Sequence, residues 1–439
     1  MIWVELVVVL AMIVVGARLG GLGLGMMGGM GVALLAFLFG DRPASPPIEV
    51  MLMIAAVITA AGALQAAGGM DYLVDLAERA LRRHPPAITF VAPLVAYAFT
   101  LFAGTGHVAY AILPVISEVS LEAGVRPERP LSISVIASQQ AITASPISAA
   151  TVALVGLLSA GSAITLGGLM AVCIPATIAG VLVGALVASR MGKELKDDPE
   201  YRRRLAAGEL KVHKGQARPA ATVQAKLSVV LFLVAAVAIV FFGSFPALRP
   251  TYALGGKTVQ MGMADAIEMV MLTAAALMAL LCKASVEEVA KGSVFRAGMQ
   301  AVIAIFGIAW MGDTFFQANA AAIQGPLEGM VQRAPWIFVL ALFAMSILLY
   351  SQAATVRTLM PVGLSIGLPG SQLVGAFPAV NGYFFIPNYP TVVAAMNFDR
   401  TGTTRIGKYL LNHSFMLPGL SATFVAVLVG LVLQRLILQ

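Results

Sequence analysis

The sequence contains little charge, little cysteine and little histidine, and each shortage excludes a class of protein. Asp, Glu, Lys and Arg make up 11% of the 439 residues and hydrophobic residues 59%, which excludes a soluble globular protein. The two cysteines, Cys173 and Cys282, both lie in apolar runs, so no disulfide framework or cysteine metal site is indicated. The four histidines are scattered and form no H-E-x-x-H motif, so neither an enzyme nor a cofactor is expected.

Long apolar runs fill most of the chain. The first begins at Ile2 without a basic segment before it or a small-residue cleavage site after it, so we expect a retained helix rather than a signal peptide. At about 20 residues for each crossing, the runs predict an all-α, polytopic membrane protein with about ten transmembrane crossings and two re-entrant hairpins. Membrane lipid is therefore its expected surrounding.

Two segments that interrupt apolar runs resemble each other. Gly104 to Val115 reads GTGHVAYAILPV, and Ser351 to Val362, 247 positions later, reads SQAATVRTLMPV. An Arg-x-Pro triplet precedes each copy at nearly the same distance, at residues 83–85 and 333–335. Because the order of the surrounding elements also repeats, the sequence predicts two inverted-topology repeats, an architecture typical of secondary transporters.

The repeat gives the predicted domain boundaries. The first repeat covers 1–189, a cytoplasmic linker covers 190–226, and the second repeat covers 227–439. The linker, with ten basic and five acidic residues, is interpreted as a solvated connection. The predicted elements are scaffold helices 2–69, a hairpin at 86–120 and a broken helix at 130–158, then scaffold helices 227–317, a hairpin at 335–366, a broken helix at 372–397 and a closing helix at 409–434. Amphipathic stretches precede the hairpins, at 71–84 and 319–334.

The basic residues indicate how this arrangement is oriented. With the N-terminus outside, 22 of the 28 Lys and Arg residues fall on the cytoplasmic side, as the positive-inside rule requires. The net charge of +7 is therefore interpreted as a topology signal, and nucleic-acid binding is not expected. Both termini are predicted to be periplasmic.

Four short polar interruptions are predicted at membrane depth, two at hairpin tips and two in broken helices. They are Gly104-Thr105-Gly106, Thr143-Ala144-Ser145-Pro146, Ser351-Gln352-Ala353-Ala354-Thr355 and Asn388-Tyr389-Pro390-Thr391. Backbone groups freed there need partners from protein, water or a ligand, which indicates a binding site. A glycine packing pair at the first tip and a simple proline kink at the first break are the alternatives. Of Gln139 and Gln140, which precede the first break, we expect one to face a cavity and the other to pack.

Arg357 is the one basic residue predicted within the membrane. It is expected in the first turn of a helix that starts mid-membrane, where the helix dipole and the low dielectric both disfavour a cation. An anion would relieve both penalties. Two helix N-termini, predicted at 106 and 355, would suit a ligand with two anionic groups. The predicted ligand-binding residues are Gly104, Thr105, Gly106, His107, Thr143, Ser145, Ser351, Gln352, Thr355, Arg357, Asn388 and Thr391.

Two side chains are candidates for coupling transport to an ion. His107 follows the first tip and titrates near neutral pH, so it could carry a proton; a histidine that is merely hydrogen-bonded in a helix interface is the alternative. Asp313 could bind a cation or simply meet interfacial water. If Asp313 is an intramembrane ion site, the alternative function is a cation/proton antiporter.

Several longer motifs resemble one known family. They are ARLGGLGLG, AAGGMDYLV, FAGTGH, RPERPLS, ITASPISAA, GIAWMGDTF, SQAAT, IPNYPTVVAA and DRTGTTRIGK. Together they resemble the anaerobic C4-dicarboxylate carriers, the Dcu family, over nearly the whole chain. The resemblance implies a bacterial inner-membrane carrier that exchanges or co-transports fumarate, succinate, malate and aspartate.

The same resemblance implies an elevator mechanism, because the family is grouped with carriers whose hairpin tips bind substrate. Sodium-coupled members of that group have Ser-Asn-Thr at the tips, whereas this chain has Gly-Thr-Gly and Ser-Gln-Ala. The coupling ion, whether a proton, sodium or none, is left open. A homodimer is expected, since elevator carriers often pair through their scaffolds.

Overall fold

Most of the chain is helical, as the apolar runs predicted. The computed structural model describes residues 2–19, 22–46, 48–158, 164–210, 221–254, 257–319, 322, 336–349, 351–387, 389–409 and 411–438. The helices of the first half are α1 (Ile2–Leu19), α2 (Gly23–Leu34, continued by a π-helical segment Leu35–Phe39), α3 (Ile48–Ala66), α4 (Gly69–Arg83), α5 (Ile88–Ala103), α6 (Ala109–Glu122), α7 (Glu128–Ala144), α8 (Ala149–Leu158) and α9 (Leu166–Ser189).

The second half has a similar order of helices. They are α10 (Pro199–Ala206), α11 (Val223–Ser244), α12 (Met263–Leu281), α13 (Val286–Lys291), α14 (Ser293–Ala318), α15 (Trp336–Leu349), α16 (Gln352–Ser365), α17 (Gly370–Ala376), α18 (Pro390–Phe398) and α19 (Met416–Ile437). Several begin at a side-chain cap that the sequence supplies. Thr165 accepts from the N–H of Gly168 at the start of α9, and Thr222 accepts from the N–H of Ala225 at the start of α11.

Within the described ranges, seven helices are long and apolar enough to cross a membrane, or eight if the bent pair α3 and α4 forms one span. The bend of 74° falls at Gly68, whose φ of +79° is strained for other residue types. Shorter apolar helices cover Ile2–Gly16, Gly23–Phe39 and Trp336–Ile347. These helices make the chain a multi-pass membrane protein, while ten crossings with two hairpins stay a prediction.

The all-α prediction is wrong at one place. Strand β1 (Thr251–Leu254) pairs antiparallel with β2 (Lys257–Gln260) between α11 and α12. Thr, Tyr and Val in these segments favour extended backbone. These few residues were too short a segment for the apolar pattern to reveal.

Two predicted helices in the second half have different bounds. The predicted broken helix at 372–397 consists of α17, a 3₁₀ turn Phe377–Val380, an irregular stretch and α18, because several prolines and Gly382 interrupt it. The closing helix α19 begins at Met416 rather than at 409. The loop before it is folded around Asp399, whose carboxylate accepts from the backbone N–H groups of Thr401 and Thr404.

Of the two predicted amphipathic stretches, the first is confirmed as helix α4. Its buried residues Met70, Val74, Ala77 and Leu81 follow helical spacing, and charged residues occupy the opposite face. The second stretch, 319–334, lies outside the described residues except for Asn319 and Ala322.

The first helices of the two halves pack against each other. Helix α2 packs on α14 and α3 packs on α12, while α1 packs on α2 and α11 on α12. The α2–α14 contact is backbone to backbone, since a Cβ added to Gly28 would overlap the backbone of Gly307. These contacts join the two halves through the segments predicted as a scaffold.

Part of the predicted solvated linker is folded against the helices. The guanidinium of Arg126, just before α7, donates to Glu128 Oε2 at 2.5 Å and to Asp198 Oδ2 at 2.6 Å. Ser414 donates to the other oxygen of Glu128 at 2.7 Å. Arg126 is only 3% exposed and Asp198 4%. This Arg126 cluster (Arg126, Glu128, Asp198 and Ser414) anchors the linker at Asp198, which composition does not show, while most residues of 190–210 are exposed or half-buried.

Candidate functional site

The two predicted hairpin tips meet at one turn of α7. From the first tip, the carbonyl oxygen of Gly106 accepts from Ser138 Oγ at 3.3 Å. From the second tip, Gln352 Nε2 donates to the carbonyl oxygen of Gln139 at 2.8 Å. Segments almost 250 residues apart in sequence therefore contact two consecutive residues of one helix.

Side-chain amides extend this contact into the interior. Asn381, in the irregular stretch after α17, donates from Nδ2 to Gln140 Oε1 at 3.1 Å, and its Oδ1 accepts from Gln352. Gln140 donates in turn to Thr423 Oγ1 of α19 at 2.9 Å. Gln139, Gln140, Gln352 and Asn381, called the central amide cluster below, are all at most 5% exposed. The cluster joins the first broken helix, the second tip and the second break.

The first tip is held against the first break. Helix α5 ends at Ala103, and Gly104 adopts φ +70° and donates its N–H to the carbonyl oxygen of Thr100. A Cβ added to Gly104 would lie 2.9 Å from Ile147 Cγ1 and 3.0 Å from the Ile147 carbonyl oxygen. Thr105 leads into the 3₁₀ turn Gly106–Val108, from which α6 continues. Gly104 therefore allows both the turn after α5 and the close contact with Ile147.

The hydroxyl protons at the first break are used locally. Ser145 donates to the carbonyl oxygen of Leu101 at 2.7 Å, and Thr143 donates to that of Gln140 at 2.8 Å. Ser148 donates at 2.6 Å to the carbonyl oxygen of Ile142, near the end of α7, which also accepts the backbone N–H of Ser145 at 3.3 Å. The break is therefore satisfied by protein, and Thr143 and Ser145 retain only lone pairs for a ligand.

The second tip begins α16 earlier than predicted. Ser351 caps the helix by accepting from the N–H of Ala354 at 3.2 Å, and Thr355 Oγ1 donates to the Ser351 carbonyl oxygen at 2.8 Å. The first helical residue is Gln352 rather than Thr355, since a Ser at this position is a strong N-cap. Arg357 therefore lies in the second turn, not in the first.

Arg357 has an acidic neighbour across the α14–α16 contact. Gly312 of α14 lies against Thr358 of α16, where an added Cβ would be 3.2 Å from Thr358 Cγ2. The charges of Asp313 and Glu49 act on Arg357, whose Nε is buried without a hydrogen-bond partner among the described residues. The structure therefore brings together Asp313 and Arg357, which the sequence treated as separate candidates.

Of the remaining predicted binding residues, the structure describes the side chain of Thr391 but not those of His107 and Asn388. Thr391 lies in the first turn of α18, is 2% exposed, and its Oγ1 has no hydrogen-bond partner within the part of the chain that is described. The side chain of His107 and the whole of Asn388 lie outside the described residues. Sequence reasoning missed Ser138 and Asn381; a polar residue within an apolar stretch was the only signal for either.

Two glycine substitutions test the contact between the first tip and the first break. Gly104 and Gly124 both have positive φ, +70° and +67°, but an added Cβ at Gly124 meets nothing within 4 Å. We expect Gly124→Ala to cost about 1–2 kcal/mol of backbone strain. Gly104→Ala should cost a further ~1–3 kcal/mol from overpacking, with slower substrate uptake. Thermal unfolding in detergent and uptake by proteoliposomes measure both; equal losses in the two variants would contradict the contact.

Comparison with known proteins places the chain among transporters. A family model described as anaerobic C4-dicarboxylate membrane transporter matches residues 1–438. The DcuA C4-dicarboxylate transporters of Wolinella succinogenes and Escherichia coli are each 44% identical, over 99% and 100% of both chains respectively. DcuB of E. coli is 39% identical over 97% of both chains.

Two solved structures share the fold at low sequence identity. The Alcanivorax borkumensis YdaH transporter has a TM-score of 0.51 at 15% identity, covering 94% of this chain and 96% of its own. Neisseria gonorrhoeae MtrF has a TM-score of 0.53 at 11% identity, covering 92% and 84%. On the family model and the close relatives together, this chain belongs to the DcuA/DcuB family of anaerobic C4-dicarboxylate membrane transporters.

Proposed function

We propose that this chain carries C4-dicarboxylates such as fumarate, succinate, malate and aspartate across the bacterial inner membrane. The relatives are named for C4-dicarboxylate transport. The observation that carries the proposal is the meeting of both hairpin tips at Ser138 and Gln139. One short ligand can then contact both halves of the chain at the same time.

The substrate carboxylates bind the two tips in this proposal. One carboxylate meets backbone N–H groups of the first tip after Gly104 and the hydroxyl of Thr105, with His107 beside it. The other meets the N-terminus of α16 at Ser351 and Gln352, with Thr355 in its first turn. Helix N-termini favour anions. Thr355 Oγ1 already donates to the carbonyl oxygen of Ser351, whereas Ser351 Oγ accepts from the N–H of Ala354, so main-chain N–H groups and the Ser351 hydroxyl are the donors proposed there. Arg357 adds positive charge, and Ser145, Thr143, Asn388 and Thr391 surround the middle of the substrate.

The packing of the helices supports two repeats with the same arrangement of helices. Suppose that α2 corresponds to α12, α3 to α14, and α7, α8 and α9 to α17, α18 and α19. The contact between α2 and α14 should then have a counterpart between α12 and α3, and the contact between α7 and α9 should have one between α17 and α19. All four of these helix pairs pack. Helix α8 packs on α16, and its counterpart α18 packs on α6. The scaffold of first helices would stay fixed, as a homodimer through that scaffold, while the tips and broken helices slide as an elevator.

Bound dicarboxylate neutralises the positive ends at the tips and lets the mobile body cross the membrane. An empty carrier would move poorly, which enforces exchange. A coupling proton or sodium ion would use His107 or Asp313. The proposed orientation has both termini in the periplasm and the linker in the cytoplasm.

Proteoliposomes test this function directly. Purified protein is reconstituted, vesicles are loaded with buffer or with unlabelled fumarate, and uptake of labelled succinate is followed with and without pH and sodium gradients. Uptake that requires internal fumarate indicates exchange, and uptake that requires an ion gradient indicates a symporter. Absence of uptake under every condition, with correctly folded protein in the vesicles, would contradict the proposed function.

A further inference from the structure

One member of the central amide cluster has unused hydrogen-bonding groups. The side chain of Gln139 is 2% exposed, and neither Nε2 nor Oε1 has a hydrogen-bond partner within the described ranges. Its neighbours differ: Gln140, Gln352 and Asn381 all form side-chain hydrogen bonds. Buried side-chain amides are nearly always satisfied, so a fully buried amide with two orphaned atoms indicates a missing partner.

The position of Gln139 shows what kind of partner fits. Its carbonyl oxygen binds Gln352 of the second tip, and the preceding residue, Ser138, binds Gly106 of the first tip. The amide therefore belongs to the turn of α7 on which both tips converge. A molecule held between the tips would be next to a side chain that offers one donor group and one acceptor oxygen.

We propose that Gln139 distinguishes among C4-dicarboxylates by the group on their second carbon. This inference rests on the proposed function of the tips. All four substrates have a carboxylate that accepts from Nε2. Only malate, with a hydroxyl, and aspartate, with an ammonium, have a donor for Oε1; fumarate and succinate have none. A site that hydrogen-bonds a substrate group discriminates strongly against analogues without it.

Two substitutions at Gln139 should change selectivity in opposite directions. Gln139→Leu has a similar shape and removes both polar atoms, so binding of malate and aspartate should weaken roughly fivefold to tenfold more than binding of fumarate and succinate. Gln139→Glu keeps an acceptor and adds a negative charge that repels every carboxylate. The ammonium of aspartate offsets that repulsion, so the ratio of aspartate to fumarate affinity should rise.

Ser134→Ala is the matched control. Ser134 lies on α7 five residues before Gln139, is fully buried, and its Oγ also has no hydrogen-bond partner within the described residues. A serine hydroxyl can rotate to a carbonyl of its own helix, so its orphaned state does not require a ligand. Ser134→Ala should leave the ratios of the four affinities unchanged.

The experiment measures equilibrium binding of each of the four dicarboxylates to the purified full-length wild type and the three variants in detergent. Opposite shifts of the aspartate-to-fumarate ratio in Gln139→Leu and Gln139→Glu support the proposal. Equal weakening for all four substrates, or no change, would overturn it while leaving dicarboxylate binding intact. If the wild type binds none of the four, the proposed function fails first, and this inference fails with it.

Discussion

Arg126→Ala is expected to destabilise the folded chain by about 3–5 kcal/mol, the usual cost of breaking a buried ion pair from one side. Arg126 is 3% exposed, and its guanidinium bonds Glu128 and Asp198, which are 8% and 4% exposed. Removing the cation leaves two buried carboxylates, those of Glu128 and Asp198, without the guanidinium that both of them bind. Since Ser414 also bonds Glu128, the loss reaches the start of α7, the linker and the loop before α19.

Arg203→Ala is the matched control for this effect. Arg203 also pairs with carboxylates, Glu200 and Glu209, but its side chain is 57% exposed. Exposed pairs contribute roughly 0–1 kcal/mol, so this variant should unfold close to the wild type. The thermal unfolding midpoint in detergent, followed by loss of monodisperse protein, separates the two. Equal midpoints for Arg126→Ala and Arg203→Ala would contradict a buried cluster.

Acid should remove part of the same stabilisation. Burial alone would raise the pKa of Asp198. The hydrogen bond from the backbone N–H of Tyr201 and the charge of the Arg126 guanidinium lower this pKa by more than burial raises it, so the pKa lies below the ordinary value. A lowered carboxyl pKa stabilises the fold fully above the unfolded value of about 4 and loses that contribution as the pH falls through the folded value. The contribution of Asp198 to the wild-type unfolding midpoint should therefore be constant near neutral pH and decline only below about pH 4, which a series of thermal unfolding measurements against pH checks.

The interruptions of the helices at the two predicted tips could be predicted from sequence because their signals are local. Gly104-Thr105-Gly106 and the Ser351 N-cap are short polar interruptions of apolar runs, and each is recognisable from a few neighbouring residues. The sequence also predicted that one of Gln139 and Gln140 would pack in the interior. Gln140 packs there, since its side-chain amide is hydrogen-bonded through both its nitrogen and its oxygen. The hydrogen bond between Gln140 and Asn381, 241 positions away, could not be predicted, since the partner of a buried amide depends on tertiary structure.

The same distinction explains the other differences. The predicted closing helix begins too early, at 409, because the sequence does not show that the loop before Met416 folds around Asp399, whose carboxylate accepts from the N–H groups of Thr401 and Thr404. The folded part of the linker depends on Asp198 meeting Arg126 across 72 positions. Charge counts predict an orientation for the chain, but they cannot show which charges become buried.

Arg357→Ala is expected to raise the apparent dissociation constant for succinate tenfold or more, about 1.4 kcal/mol, if the guanidinium makes a charge-assisted contact with a carboxylate. Arg357 is partly buried beside the second tip, and its Nε is among the buried atoms without a partner in the described chain. Arg249→Ala is the control, because Arg249 also has an orphaned Nε but lies next to the β-hairpin. Arg249→Ala should leave succinate binding unchanged.

Asp313 offers a second explanation for Arg357, and a double-mutant cycle separates the two. If Arg357 binds substrate, Asp313→Asn should preserve or improve affinity, and Arg357→Ala with Asp313→Asn should bind as weakly as Arg357→Ala alone. If Arg357 only balances the charge of Asp313, the double variant should regain wild-type affinity, because the unpaired carboxylate that repels the substrate is gone. Unchanged succinate binding by folded Arg357→Ala would exclude both roles.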